Sequence, residues 1–217
     1  MEHRDDARPD LAAMRTEYSR AGLDEESAGQ DPFALFDEWL AQVVAAGVHE
    51  PNAMALATST ADGAPSVRIV LLKSFDASGA VLHTNYASRK GQEVEENPRA
   101  AAVLLWHEVQ RQVRIEGPVS RLSPEESDAY FLSRPEGGRV SAAASPQSQV
   151  VAGREELQRR WDEAAASEAA GQRPDGWGGL RIAVESIEFW QGRENRLHDR
   201  IRFRLDDGEW VKERLAP

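Results

Sequence analysis

At 217 residues, 41% hydrophobic and 29% charged, the chain is long enough to bury a full core and has the composition of an ordinary globular protein. Its net charge of −11 argues against nucleic acid as the main partner, and the lack of cysteine removes disulfides, thiolate nucleophiles and thiolate-held metals. No run approaches the roughly 18 apolar residues of a membrane-spanning helix, and MEHRDDARPD has no apolar signal region, so a cytoplasmic location is expected.

Residues 1–30 are polar and read as a mobile N-terminal arm with one short helix, LAAMRTEYSRAG, ahead of a single domain over 31–217. The stretch DPFALFDEWLAQVVAAGV predicts a helix. Asp31 can cap it, Pro32 suits its first position and Gly47 ends it. Leu35, Phe36, Trp39, Leu40, Val43 and Val44 form an apolar stripe at helical spacing.

After Pro51 the texture turns to strands. AMALATST and SVRIVLLKSF flank an Asp62-Gly63 turn and read as a hairpin, and DASG leads into AVLHTNY. SRKGQEVEEN reads as a short helix capped by Ser88 and stopped by Pro98. RAAAVLLW and VQRQVRIEGPVSRL read as another strand pair. In SPEES, Ser123, Pro124 and Glu126 make a capping-box helix start. A low-complexity passage, GGRVSAAASPQSQ, precedes the helix REELQRRWDEAAASEAA. LRIAVESIEFW, NRLHDRIRFRL and EWVKERL read as three closing strands, with turns at QGRE and Asp207-Gly208. About six to eight strands in hairpins, with about four helices, no βαβ alternation and no repeat, predict a mainly β, α+β chain built on a closed antiparallel barrel.

Dinucleotide, P-loop and serine-elbow motifs are missing, and the five histidines show no paired metal-ligand spacing. What remains is cations placed on or beside strands. In VRIVLLK, Arg68, Val70 and Leu72 share one face and Ile69, Leu71 and Lys73 the other. The two cations either snorkel past an apolar rim or reach an anion. Arg89 and Lys90 follow the Ser88 cap and oppose the helix dipole, at about 0.3–1 kcal/mol each, a cost that a bound phosphate would reverse. Tyr130 and Arg134 stand four apart on the capped helix, which suits either a ligand or a cation–π pair. Arg196, His198 and Arg200 alternate, so on a strand they would project together, into solvent or toward something negative.

Taken together, RIVLLK (68–73), TNYASRKG (84–91), RQV (111–113), YFLSRP (130–135), PQSQ (146–149), EFWQGRENRLHDR (188–200) and the terminal ERLAP resemble the pyridoxamine/pyridoxine 5′-phosphate oxidases. The likeness runs from MRTEY in the arm to Pro217. It implies a split β-barrel homodimer with FMN at each of two subunit interfaces. It also implies oxidation of pyridoxamine or pyridoxine 5′-phosphate by O2 to pyridoxal 5′-phosphate, with release of H2O2.

On the matching positions, the resemblance implies FMN contacts from Arg68, Ile69, Val70, Leu71, Leu72, Lys73, His83, Thr84, Arg89, Lys90, Gln112, Gln147, Ser148, Trp190 and Arg200. It implies that Lys73, Tyr130 and Arg134 meet the substrate phosphate. Arg196 and His198 would be the catalytic pair against the pyridine ring and its reacting carbon, with Arg15 and Tyr18 closing over it from the arm. Arg200 would face the flavin's N1 side and stabilise the reduced, anionic ring. No metal is expected. The chain departs from the family pattern at His83, usually Tyr, at Gly138, usually a Ser touching the substrate phosphate, and near Ala143, where a Trp is usual. These departures bear on the substrate more than on the flavin. The alternatives are a related flavin oxidase of phenazine-pathway type and a non-catalytic FMN- or pyridoxal-phosphate-binding protein.

Overall fold

The computed structural model describes residues 22–167 and 171–217. Most of the arm expected over 1–30, including Arg15 and Tyr18, lies outside the described residues.

Helix α1 (Pro32–Ala45) starts as its sequence dictates, with the Asp31 side chain accepting from the Phe33 N–H at 2.8 Å and Pro32 in the first turn. It buries Leu35, Phe36, Trp39 and Val43. Val44, expected in the same stripe, is exposed. At about 100° per residue it falls beyond the arc that those four side chains fill.

Ten strands form one branched antiparallel system among the described residues: β1 (Ala53–Ser59), β2 (Pro65–Leu71), β3 (Ser74–Asp76), β4 (Gly79–Asn85), β5 (Arg99–Trp106), β6 (Arg111–Arg121), β7 (Trp177–Ile182), β8 (Ser186–Gln191), β9 (Asp199–Asp206) and β10 (Glu209–Arg214). A ring closes through β1–β2, β1–β5, β5–β6, β6–β7 and β4–β7, and the Lys73 N–H, donating to the Val81 carbonyl at 2.8 Å, joins the end of β2 to β4. Strands β8, β9 and β10 run on from β6 and leave the ring.

Strand β6 makes the split. Residues 111–116 pair with β8 and residues 119–121 with β7. The crossover at Gly117 brings the backbones so close that a Cβ there would collide with the Ala183 carbonyl oxygen. The same crossover explains why LRIAVESIEFW, expected as one strand, is two: β7 and β8 serve different parts of β6.

Two further expectations are corrected. The passage GGRVSAAAS is mostly helix: α4 (Glu136–Ala144) follows α3 (Pro124–Ser133) and buries Val140. In NRLHDRIRFRL the strand begins only at Asp199; residues 194–196 form a 3-10 turn in which Asn195 and Arg196 have φ of 55° and 61°. The remaining helices, α2 (Arg89–Glu96) and α5 (Arg154–Ala166), fall where their patterns predict, and the Ser123–Glu126 capping box on α3 is complete.

Helix α1 covers the core beside β8, with Trp39 edge-on to Phe189 at 5.2 Å and Phe36 against Phe75 at 4.3 Å. The other face of the β2–β1–β5 sheet carries Val67, Ile69 and Leu105, which are 61–68% exposed. Register puts Leu105, Gln112, Trp190 and Arg200 in one row across β5, β6, β8 and β9, on that same face. No helix among the described residues is long and apolar enough to cross a membrane.

Candidate active site

Beside the end of β2 lies a cavity of about 550 Å³, bounded by β4, α3, α4 and β7. Its lining includes Ile69, Val70, Leu71, Lys73, His83, Thr84, Tyr130, Arg134, Gln147 and Trp177, with no carboxylate among the described residues. In a chain of net charge −11 this local excess of cations needs an anion to balance it.

Three rings stack along one wall. His83 lies 3.7 Å from Tyr130 at 17°, and Trp177 is nearly parallel to Tyr130 at 7°. The Lys73 Nζ stands 5.9 Å from the Tyr130 centroid, and the Arg134 guanidinium 4.8 Å from Trp177. Burial, then the charges of Lys73 and Arg134, lower the His83 pKa to about 4, so the ring is neutral. Both His83 nitrogens and Arg134 Nη1 are buried without a hydrogen-bond partner among the described residues. Donors left without acceptors in a cationic cavity fit a ligand rich in phosphate oxygens.

A third cation borders this cavity. Lys90 is only 6% exposed, and its Nζ donates to Thr84 Oγ1 (3.1 Å), Ser88 Oγ (3.2 Å) and Gln147 Oε1 (3.2 Å), all neutral oxygens. Burial and the neighbouring Arg68 draw its pKa down to about 8, against the opposing pull of Glu93. Ser88 also caps α2, accepting from the Gly91 N–H.

Arg68 and Arg89 converge on Glu93, whose side chain is 3% exposed. Its carboxylate accepts from Thr58 Oγ1 (2.5 Å), Ser66 Oγ (2.5 Å), Arg89 Nε (2.8 Å) and Arg68 Nη2 (3.2 Å). Burial alone would raise this carboxyl; the four donors hold it at about 2. Of the two cations flanking the apolar run of β2, Arg68 therefore meets a carboxylate of the protein and Lys73 faces the cavity. Leu72 turns its side chain into the core, and its N–H donates to the Asn52 carbonyl.

The remaining predicted residues are elsewhere on the chain. Arg200 forks onto Glu188, Nε to Oε1 at 2.8 Å and Nη2 to Oε2 at 3.0 Å, and Nη1 donates to the Ala216 carbonyl. His198 Nδ1 accepts from the Arg193 N–H at 3.1 Å, so the neutral ring carries its proton on Nε2, and its ring lies 4.7 Å from Trp190. Burial and Arg196 lower the His198 pKa, partly offset by Asp199. Arg196, His198 and Arg200 do not share a strand face as expected: only Arg200 is in β9, because the positive φ angles at 195 and 196 turn the chain before it. Ser148 is exposed with φ of 70°.

Along the sheet, Gln112, Trp190 and Arg200 lie three, four and five strand steps from β2, and none of the three is among the residues that line the cavity. One chain thus holds two separated groups, the cavity and the Gln112–Trp190–Arg200 row. Tyr130 and Arg134 do meet at the cavity, although Arg134 caps α3 from one residue past its end and rests on Trp177, not Tyr130. Sequence reasoning missed Trp177, Glu93 and Glu188. Glu93 had a signal, its i,i+4 spacing from Arg89; Trp177 and Glu188 had none.

Residues 40–168 match the family described as pyridoxamine 5′-phosphate oxidase. The chain belongs to this family. Residues 177–217 match the pyridoxine 5′-phosphate oxidase C-terminal dimerisation region. A pyridoxine/pyridoxamine 5′-phosphate oxidase from Rubrobacter xylanophilus is 52% identical over 213 residues, covering 97% of this chain and 98% of the relative. One from Pseudomonas fluorescens is 51% identical over 211 residues, covering 95% and 98%. Among solved structures, PhzG from Burkholderia lata, in complex with tetrahydrophenazine-1-carboxylic acid, superposes with a TM-score of 0.87 at 33% identity, over 93% of this chain and all of that one. An FMN binding protein from Nostoc punctiforme, related to pyridoxamine 5′-phosphate oxidase, shares the fold with a TM-score of 0.70 at 15% identity, over 84% of this chain and 97% of that one. The barrel with its splayed β8–β10 extension is the split-barrel fold of this family.

Proposed function

We propose that the chain is a cytoplasmic, FMN-dependent oxidase that converts pyridoxamine and pyridoxine 5′-phosphate to pyridoxal 5′-phosphate, reducing O2 to H2O2, and that it works as a homodimer. The observation that carries this reading is a cavity in an acidic chain where, among the described residues, no carboxylate lines the wall, Lys73 and Arg134 have no anionic partner, and His83 and Arg134 keep buried atoms unpaired. When bound, FMN supplies the hydride acceptor and the route to oxygen.

Lys73, Tyr130 and Arg134 hold the substrate phosphate. Lys90, Thr84 and Gln147 hold the flavin's phosphate at the capped start of α2, with Arg68 and Arg89 fixed beside them by Glu93. Ile69, Val70, Leu71 and His83 line the flavin's side of the cavity, and Ser148 follows Gln147 at its edge. Arg196 and His198 orient the carbon that loses hydride, with the His198 proton kept on Nε2 by the Arg193 N–H. Arg200, locked by its fork onto Glu188, turns its remaining N–H groups toward the reduced ring as fixed hydrogen-bond donors. Arg15 and Tyr18 of the arm close over the substrate.

Dimerisation is supported by the apolar face bearing Val67, Ile69 and Leu105 and by the dimerisation-region match. Ile69 and Leu71 belong both to that face and to the cavity lining, so the cavity opens where a second copy would dock. A partner seated there brings its own Gln112, Trp190 and Arg200 over a cavity that none of the three lines within one chain.

PhzG's likeness favours a second reading, oxidation of another small aromatic, but the ligand bound in that structure carries a carboxylic acid, whereas two unpaired cations beside a buried lysine suit a phosphate ester. The test is incubation of purified protein with FMN and pyridoxamine 5′-phosphate in air. Pyridoxal 5′-phosphate and peroxide form if the reading is right; bound flavin without turnover refutes it.

A further inference from the structure

Arginines at this site are held in two different ways. Arg68 and Arg89 rest on Glu93 and Arg200 on Glu188, so in each case a carboxylate supplies position and takes up charge. Arg134 has no carboxylate among the described residues. Its guanidinium carbon lies 4.8 Å from the Trp177 ring, and a Cβ built on Gly138 would stand 3.5 Å from Nη2 in ordinary contact. Trp177 is itself immobilised: it is 6% exposed, crosses Phe131 edge-on at 5.4 Å and runs nearly parallel to Tyr130 and His83.

An aromatic face attracts a guanidinium through its quadrupole and takes none of its N–H donors. A carboxylate here would fix the same side chain but neutralise it and occupy the fork that a phosphate needs. We propose that Trp177 is the positioning residue for Arg134, holding the guanidinium in the cavity while leaving its charge and its N–H groups for the phosphate of the substrate. The inference rests on the substrate class proposed above and adds to it a residue that sets affinity for the phosphate without touching the reacting carbon.

The test uses the FMN-loaded full chain with Trp177→Leu, Trp177→Phe, Arg134→Met and the Trp177→Leu/Arg134→Met double variant. Three quantities are read: KM and kcat for pyridoxamine 5′-phosphate, and the dissociation constant of inorganic phosphate by calorimetry, which needs no turnover. Trp177→Leu is expected to raise KM and weaken phosphate binding roughly tenfold while kcat falls less than threefold. Trp177→Phe, which keeps a ring, recovers most of both. In the Arg134→Met background the Trp177→Leu change adds no further loss.

The proposal is overturned if the two losses simply add, if Phe rescues no better than Leu, or if kcat and flavin content fall while KM and phosphate affinity stay put. A wild-type protein that binds phosphate in a Trp177-dependent way but oxidises nothing refutes the oxidase reading and leaves the role of Trp177 standing.

Discussion

Replacing Glu93 by Ala removes the acceptor at the centre of four hydrogen bonds. Arg68, whose side chain is 20% exposed, loses its carboxylate partner, and breaking a buried pair from one side costs about 3–5 kcal/mol. Arg89 is 62% exposed, so its share is at most about 1 kcal/mol. The Thr58 and Ser66 hydroxyls can turn to other acceptors, and losses within one network do not add. A net destabilisation of about 3–5 kcal/mol corresponds to a fall in Tm of roughly 6–20 °C for a chain of this size. Glu93→Gln keeps one acceptor oxygen and should fall between the variant and the parent. The assay is calorimetric unfolding of the flavin-free protein near neutral pH. Because the folded pKa, about 2, lies below the ordinary 4.5, the contribution of Glu93 is complete above pH 4.5 and fades as pH falls toward 2. An alanine variant melting within 2 °C of the parent, a shift of about 1 kcal/mol or less, would refute this account of how the cluster is held.

Lys90→Met should weaken FMN binding roughly 10- to 100-fold, the loss of a charge-assisted contact, as read by flavin fluorescence. It should also make the flavin-free protein more stable at neutral pH, since a lysine at about 8 instead of 10.5 is a buried charge the fold tolerates at a cost. For the same reason the parent's stability gains from Lys90 as pH rises from 8 to 10.5, a gain absent from the variant. His83, at about 4, should remain neutral through pH 5–8 in an NMR titration, and its contribution to stability should be full above pH 6.5 and decline toward pH 4; a midpoint above 6 contradicts the cavity electrostatics. Gly117→Ala should destabilise the chain by about 1–3 kcal/mol or more in urea unfolding, because the new methyl meets the Ala183 carbonyl. Gly138→Ser should be accommodated and should lower KM for the phosphorylated substrate a fewfold by placing a hydroxyl beside Arg134, worth about 1 kcal/mol.

What could be read from the residues was what local chemistry decides. Asp31, Ser88 and Ser123 cap their helices because a short polar side chain before an apolar repeat has few other uses, and Asp207-Gly208 turns a hairpin with both φ positive. The cation-bearing segments were legible for the same reason: Arg89 and Lys90 at a helix start are locally unfavourable. What escaped was non-local. The break between β7 and β8 depends on which part of β6 each strand meets. The turn at Asn195 and Arg196 needs two non-glycine residues at positive φ, which no spacing rule announces. Trp177 sits in an apolar strand start that gives no hint of a guanidinium resting on it, and Glu93 lies in EVEEN, a run that reads as solvent-facing until the fold buries one of its carboxylates.

The placement of Arg134 in the cavity and of His198 outside its lining has a genetic consequence. If each working centre draws its phosphate grip from one copy and its ring contacts from the other, two inactive alleles, one altered at Arg134 and one at His198, would rescue each other on co-expression. Mixed pairs would contain one centre carrying both lesions and one carrying neither. Random assortment makes half the pairs mixed, so about a quarter of full activity would reappear from two dead parents.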